Sequence, residues 1–284
     1  MSRRRLLAAA ALALCAAHGC AGTPTAPAGS AGAGTAAVWV WEGTKRITET
    51  VEIPAGVTLR ILPGAILRFA YVDRDGDGVG DAGLHVLGRV EALGTKGAPI
   101  VFTSAEARPQ PGDWRGMVFD NAKGNRFTEC LFEYAEHALH AHFSSAVLTR
   151  CRLERNVEGT RLGNSRFEIA YSLVRANASK GLNFFACENR IHHCTITGNA
   201  VGIFLFETDT GSVIEQNNIH GNERYDFRLG DFYRGGRVVR GNWWGTTDPA
   251  LIREHVYDGE DDPGLGVLEI EPAAQPFPTG WEEP

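Results

Sequence analysis

The feature that most constrains this chain is a repeat of about 22 residues running through its second half. Five stretches align, opening at Phe127 (FTECLFEYAEHAL), Leu148 (LTRCRLERNVEGT), Ile169 (IAYSLVRANASKGL), Ile191 (IHHCTITGNAVGI) and Ile214 (IEQNNIHGNERYDF), with a shortened sixth at Val239 (VRGNWWG). Three positions after the opening residue stands a small or polar side chain: Cys130, Cys151, Ser172, Cys194, Asn217 and Asn242, at steps of 21, 21, 22, 23 and 25. Five positions later comes a second column, Ala135, Asn156, Asn177, Asn199 and Asn222, with Gly159, Gly181 and Gly202 close behind it. Helical solenoids need longer repeats, roughly 33 to 47 residues, and a 3.6-residue periodicity. Here short alternating runs such as Thr195-Ile196-Thr197 are separated by Asn and Gly, the pattern of short strands joined by tight bends.

One such coil cannot bury its own apolar side chains, so it must stack on the next. Parallel stacking at about 4.8 Å per coil sets equivalent residues above one another. The small-residue column should then point inward, and the Asn column should form an amide ladder at a corner. The same asparagines are expected to supply the left-handed backbone of that bend. Cys130 and Cys151 fit a stack of free thiols. A disulfide between adjacent coils has a suitable Cα separation, but parallel side chains orient poorly for the bond.

The first half reads as the same architecture in looser form, from Val51–Gly64 through Leu84–Gly88 and Pro99–Ser104 to Trp114–Phe119. Together these residues resemble the right-handed β-helix repeat proteins of bacterial surfaces and periplasms, and NWWGTTDPALI from Asn242 onward resembles their closing segment. The resemblance implies an all-β, right-handed, single-stranded parallel β-helix (a solenoid) over residues 38–245, with a short C-terminal capping segment and tail over 246–284. It implies little about function, because the fold hosts lyases, hydrolases, adhesins and inert scaffolds alike.

Ahead of this domain, Arg3-Arg4-Arg5 and an apolar run from Leu6 to Ala17 read as an export signal, too short to span a bilayer. The signal closes on Ala17-His18-Gly19-Cys20, which resembles a lipoprotein signal in which Cys20 is lipidated. The arginines also resemble a twin-arginine signal. Residues 21–37 contain only Ala, Gly, Thr, Pro and Ser, a tether with nothing to bury. The expected address is the cell envelope, with a membrane contact through the lipid anchor; Ala21 leans toward the outer membrane of a Gram-negative cell. A formal net charge of −6 argues against nucleic acid, whose phosphates call for a basic face.

The sharpest local motif is Asp73-Arg-Asp75-Gly-Asp77-Gly-Val79-Gly-Asp81. Calcium takes six to eight hard oxygens from a tightly turning backbone, and alternate Asp residues with Gly between them supply both. Asp73, Asp75, Asp77 and Asp81, with the Val79 carbonyl, are the expected ligands of a structural calcium ion. Leu84 stands where an EF-hand places its bidentate Glu, so the motif looks like a helix-free extracellular calcium loop.

Other candidates are weaker. His137, His140 and His142 would make a transition-metal site only if they converged, and a bend is expected inside that stretch; they read as surface and turn histidines. Motifs of polygalacturonase-like hydrolases and of alginate-epimerase-like sequences are absent from the coils. Glu158 with Arg161, or Glu207, Asp209, Asp226, Arg228 and Asp231, could line one face, and read as a solvated one. Phe204, Phe206, Tyr225, Phe227 and Tyr233, with Asp209 and Arg228, form a possible ligand face on the late coils, where aromatic rings would suit sugar stacking; half or more of the late-coil aromatics should point inward. Trp243 and Trp244 are expected to cap the open end. The reading is a binding or structural scaffold for carbohydrate or envelope polymers, leaning away from catalysis. The alternatives are a polysaccharide lyase or hydrolase, and a periplasmic metal-delivery protein. Arg, Lys and carboxylates from three adjacent coils meeting in one cleft would favour the enzyme.

Overall fold

The computed structural model describes residues 37–208 and 211–281. The proposed signal, Cys20, residues 21–36 of the tether and Asp209 lie outside the described residues, and Ala37 already belongs to the first strand. Three parallel sheets run side by side along the stack. The first sheet has eight strands, from Ala37–Trp41 to Val213–Glu215. The second also has eight, from Thr44–Ile47 to Asn218–Ile219, and the third has nine, from Thr50–Ile53 to Val256–Tyr257. Each turn of the chain contributes one strand to each sheet, so every strand pairs with its equivalent about one repeat away. A short helix, Pro249–Arg253, is N-capped by Asp248, whose side chain accepts from Ala250 N. Strand Arg237–Asn242 pairs with Leu268–Pro272 to close the C-terminal end.

The register follows the repeat. Phe127, Leu148, Ile169, Ile191 and Ile214 lie one above another in the first sheet, and none is more than 5% exposed. Each such side chain buried contributes about 1.5–3 kcal/mol. Aromatic side chains stack along the axis as well. The rings of Phe102 and Phe132, in register on the second sheet, are stacked nearly parallel with centroids 4.6 Å apart, and those of Phe69 and Trp114 are 4.0 Å apart. Trp244 is buried beside Phe227 and closes the end of the core, as expected, whereas Trp243 bridges to Asn218 on the second sheet.

The Asn column is a ladder. Asn156 Nδ2 donates to Asn177 Oδ1 at 3.1 Å, Asn177 Nδ2 to Asn199 Oδ1 at 2.8 Å, and Asn199 Nδ2 to Asn222 Oδ1 at 2.9 Å. Each Oδ1 also accepts the backbone N–H of the preceding rung, so one amide satisfies two donors of the coil below it. The small-residue column ends in a second ladder, Cys194 N to Asn217 Oδ1 and Asn217 Nδ2 to Asn242 Oδ1. Cys130, Cys151 and Cys194 are free buried thiols, Cys187 is buried as well, and burial pushes Cys194 up to about 12.

One expectation needs correction. The ladder asparagines are not the left-handed residues. At the corner between the first and second sheets the left-handed residues are Glu129, Arg150, Tyr171, His193 and Gln216, with φ between 50° and 57°; each directly precedes a column residue. At the next corner they are Tyr134, Arg155 and Ala176, again one place early. The physical reason is division of labour. The residue at positive φ turns the chain and points outward, which releases the next side chain to point inward and bond along the axis.

Gly159, Gly181 and Gly202 behind the ladder have a different origin. A Cβ there would lie 2.4, 2.7 and 2.6 Å from a carbonyl oxygen of the next coil, and within 3.3 Å of the ladder amide. They are glycines because the ladder leaves no room.

The last rung is Asp226, whose Oδ1 accepts from Asn222 N and Nδ2 at 3.1 and 2.8 Å. Burial is the main cause raising its pKa above 3.8, so folding penalises the charged form. That penalty is present above the folded pKa and vanishes below 3.8, where both folded and unfolded states are protonated. Asp226→Asn keeps the acceptor and removes the charge. It should stabilise the protein near neutral pH, with the gain disappearing in acid. Thermal melts of both proteins across pH check this, and a gain that grows in acid would contradict it.

Candidate functional site

The outer face of the third sheet brings together most of the chain's unassigned chemistry. Its central column, in register along the axis, reads Glu52, His85, Val118, His140, Arg161, Asn183, Phe204, Arg228 and Tyr257. His85 sits between two carboxylates, 2.9 Å from Asp120 and 3.5 Å from Glu52.

In the middle coils lies an open cleft of about 540 Å³ lined by Arg115, Glu136, the three histidines and Arg161. The expected bend in this stretch is absent. Ala135–His142 is one continuous strand with a bulge between His137 and Leu139. On a regular strand His137 and His140, three residues apart, would face opposite sides. The extra residue turns Ala138 and Leu139 both inward and returns His137, His140 and His142 to one face. Their rings are 5.2 Å apart from His137 to His140, and 4.8 Å from His140 to His142.

Charged groups on neighbouring coils complete the cleft. Arg115 bonds Glu136 at 3.2 Å, His137 lies 3.6 Å from Glu158, and Lys180 bonds Glu158 at 2.6 Å. Asn183 Nδ2 donates to Glu158 at 2.9 Å, while its buried Oδ1 has no partner among the described residues. Burial, reinforced by His137, His142 and Arg161, lowers His140 to about 4, so it is a neutral imidazole at neutral pH. The hydrogen bond from His137 leads the causes that lower Glu136. Arg115, Glu136 and Arg161, from three successive coils, therefore line one cleft, and the Glu158–Lys180 pair lies beside it.

Further along the same face is an aromatic shelf. The ring centroids of Phe185 and Phe206 are 4.7 Å apart, those of Phe204 and Phe206 are 5.9 Å apart, and those of Tyr225 and Tyr257 are 5.3 Å apart. Two glycines make room for rings to lie on the sheet: a Cβ on Gly163 would meet Phe185 at 2.6 Å, and one on Gly230 would meet Phe204 at 2.3 Å. Arg228 sits 5.6 Å from the Phe204 ring and 5.0 Å from the Tyr257 ring. Of the expected ligand face, Phe204, Phe206, Tyr225 and Arg228 are on this surface. Phe227, fully buried, and Tyr233, 5% exposed, belong to the core instead. Phe185 and Tyr257 were not singled out in the sequence; the register of Phe185 with Gly163 would have flagged the first. Asp226 also leaves the proposed charged face, since it ends the interior ladder.

The acidic loop lies between the second and third sheets. Asp73, Asp75 and Asp77 each bring one carboxylate oxygen within 4.8 Å of the others, an all-oxygen set that could hold a hard metal ion. Asp73 accepts from Gly76 N and Gly78 N at 2.7 and 3.0 Å; desolvation opposes the shift, but these N–H groups hold its pKa below the usual range. The Val79 N–H donates to Asp77 Oδ1 at 2.8 Å. Asp81 stands outside the trio, 3.8 Å from Arg74 and 3.6 Å from Arg115. Arg115 also reaches Asp77 at 3.1 Å, so the loop and the histidine cleft share one guanidinium. No group of three ligand atoms at this spacing includes the histidines among the described residues.

Residues 111–243 match the family described as the right-handed β-helix region. No curated protein matches the chain. Among solved structures, the chain is similar to the A-module of mannuronan C-5 epimerase AlgE4 from Azotobacter vinelandii, at 10% identity and a TM-score of 0.40, over 84% of this chain and 88% of that one. It is also similar to the Dettilon tailspike protein, at 14% identity and a TM-score of 0.40, over 81% of this chain and 61% of that one. With three parallel sheets wound by one chain and a family match across the central coils, this is a right-handed parallel β-helix protein.

Proposed function

We propose that the outer face of the third sheet binds an acidic polysaccharide, with the chain acting as an envelope-tethered binding protein anchored through Cys20. One observation carries this reading. An aromatic shelf adjoins two cations, Arg161 and Arg228, that have no carboxylate partner among the described residues. Rings of a sugar polymer stack on such a shelf, and its carboxylates pair with such cations. Calcium bound by Asp73, Asp75 and Asp77 stiffens the neighbouring loop rather than taking part in chemistry.

A second reading is favoured by the cleft itself. His140 is in register with Arg161, which places an imidazole that can accept a proton beside a cation that can hold a uronate carboxylate, the pair a lyase uses. A bound carboxylate would raise His140 from its depressed pKa of about 4.

The test is retention of the full chain on acidic and neutral polysaccharides, with millimolar calcium or with a chelator, scoring unsaturated products after long digestion. Retention on an acidic polymer is expected. Arg161→Ala with Arg228→Ala should weaken it at least about tenfold, since each charged hydrogen bond contributes about 1.5–3 kcal/mol and 1.4 kcal/mol is tenfold. Retention on no acidic polymer would overturn the proposal. Unsaturated products lost in His140→Ala would establish the second reading.

A further inference from the structure

The outer face of the second sheet is crossed by the C-terminal tail. Asn218 holds Phe277 through both of its backbone groups, at 2.8 and 2.9 Å. Thr195 Oγ1 meets Thr279 Oγ1 at 2.7 Å, and the Trp281 indole N–H donates to the Tyr171 carbonyl at 2.8 Å. These anchors fall on successive coils, so the tail runs back against the direction of stacking. It brings Trp281 to the edge of an open concavity of about 540 Å³, distinct from the histidine cleft. Its floor is Val101 and Leu131, in register on adjacent coils, and Tyr171 and Trp281 form a wall. Lys96, Arg150 and Arg152 stand around it.

We propose that this concavity is a second binding site, for a short acidic saccharide, built jointly by the second sheet and the tail. Charge is the first argument. The chain carries a formal net charge of −6, yet Lys96, Arg150 and Arg152 line this concavity against a single carboxylate, Glu129. Glu154 is fully buried and already held by Arg152 at 2.5 Å, Arg155 at 3.1 Å and Arg175 at 2.7 Å; Glu133 is held by Arg155 at 2.8 Å. Lys96 and Arg150 are left without an ion pair among the described residues, beside one carboxylate, Glu129.

The second argument is an accessible guanidinium. Arg152 lines this concavity with its side chain 36% exposed and with Glu154 as its ion-pair partner, so an anionic oxygen seated here gains a charged hydrogen bond. The third is shape. An apolar floor with an aromatic wall takes the face of a sugar ring, while the cations take its carboxylate. The volume lies in the range of small-ligand sites, roughly 300–1,000 Å³, and the tail closes one end. A short oligosaccharide fits that geometry, whereas an extended polymer does not.

Digalacturonate titrated into the full chain should bind and change tryptophan fluorescence, by calorimetry and by emission in parallel. Trp281→Phe should abolish the spectral change. Arg150→Glu, at an exposed position, should weaken binding at least about tenfold by calorimetry, with unchanged circular dichroism. Arg161→Ala on the third sheet should leave this binding as it was, which separates the site from the polymer-binding face. No heat at millimolar digalacturonate would overturn the proposal. So would equal binding of a neutral disaccharide or of adenosine monophosphate, or indifference to Arg150→Glu.

Discussion

Replacing Asn177 by alanine should lower the unfolding free energy by about 4 kcal/mol, well beyond the roughly 1 kcal/mol of an average substitution. Asn177 is 1% exposed and is the central rung of the ladder. Its Oδ1 accepts from Asn156 N and Asn156 Nδ2, both at 3.1 Å, and its Nδ2 donates to Leu153 O at 3.1 Å and Asn199 Oδ1 at 2.8 Å. Alanine leaves the Asn156 N–H without an acceptor and withdraws a donor from Leu153, each worth about 1–3 kcal/mol when buried, and adds a small cavity. Asn156 Nδ2 loses less, because Phe132 O and Glu154 O remain at 3.1 and 3.2 Å. Urea melts of wild type and variant, compared at equal slope, measure the difference. A loss under about 1 kcal/mol would mean the ladder is not a principal support of the stack. Because adjacent rungs share bonds, Asn177→Ala combined with Asn199→Ala should cost less than the two single losses together.

The repeat made the fold legible because a solenoid writes the same physical requirement once per coil. Phe127, Leu148, Ile169, Ile191 and Ile214 could be set in register from spacing alone, and the sheets pair them that way. What spacing does not encode is which of two adjacent residues makes the turn. Asparagine suits both a left-handed bend and a ladder, and the ladder prevails because a buried amide satisfies several groups that would otherwise be orphaned. Glu129, Arg150 and Tyr171 then accept positive φ although nothing in their chemistry advertises it.

The site was less legible, for two separate reasons. The acidic loop is a local motif, so Asp73, Asp75 and Asp77 could be read from five residues of sequence; the pairing of Asp81 with Arg115 could not, because Arg115 lies on a later coil. The histidine cleft depends on a single-residue bulge, and a bulge inverts the alternation from which facing is inferred. Phe227 is a further correction: the sequence reading sets it on the possible ligand face, and the structure buries it fully in the core.

The bulge has a partner whose replacement should be the most damaging single methyl in the protein. Gly116 lies opposite His137 at the point where the register shifts, with φ +107°, a conformation that side-chain-bearing residues rarely adopt. A Cβ there would stand 1.7 Å from the His137 carbonyl oxygen, which belongs to backbone and cannot turn aside. Gly116→Ala must therefore push the coils apart or straighten the bulge. Backbone strain of about 1–3 kcal/mol adds to lost pairing on both sides of the strand, for a total above roughly 4 kcal/mol. Straightening would also turn His137 away from His140 and open the cleft to water. Burial is the leading cause that holds His140 near 4, so its titration should move back toward 6.5 in whatever fraction remains folded. Histidine ring NMR across pH, alongside a urea melt, reads both effects. A variant that kept its stability and left the His140 titration unmoved would show that the bulge does not depend on this glycine.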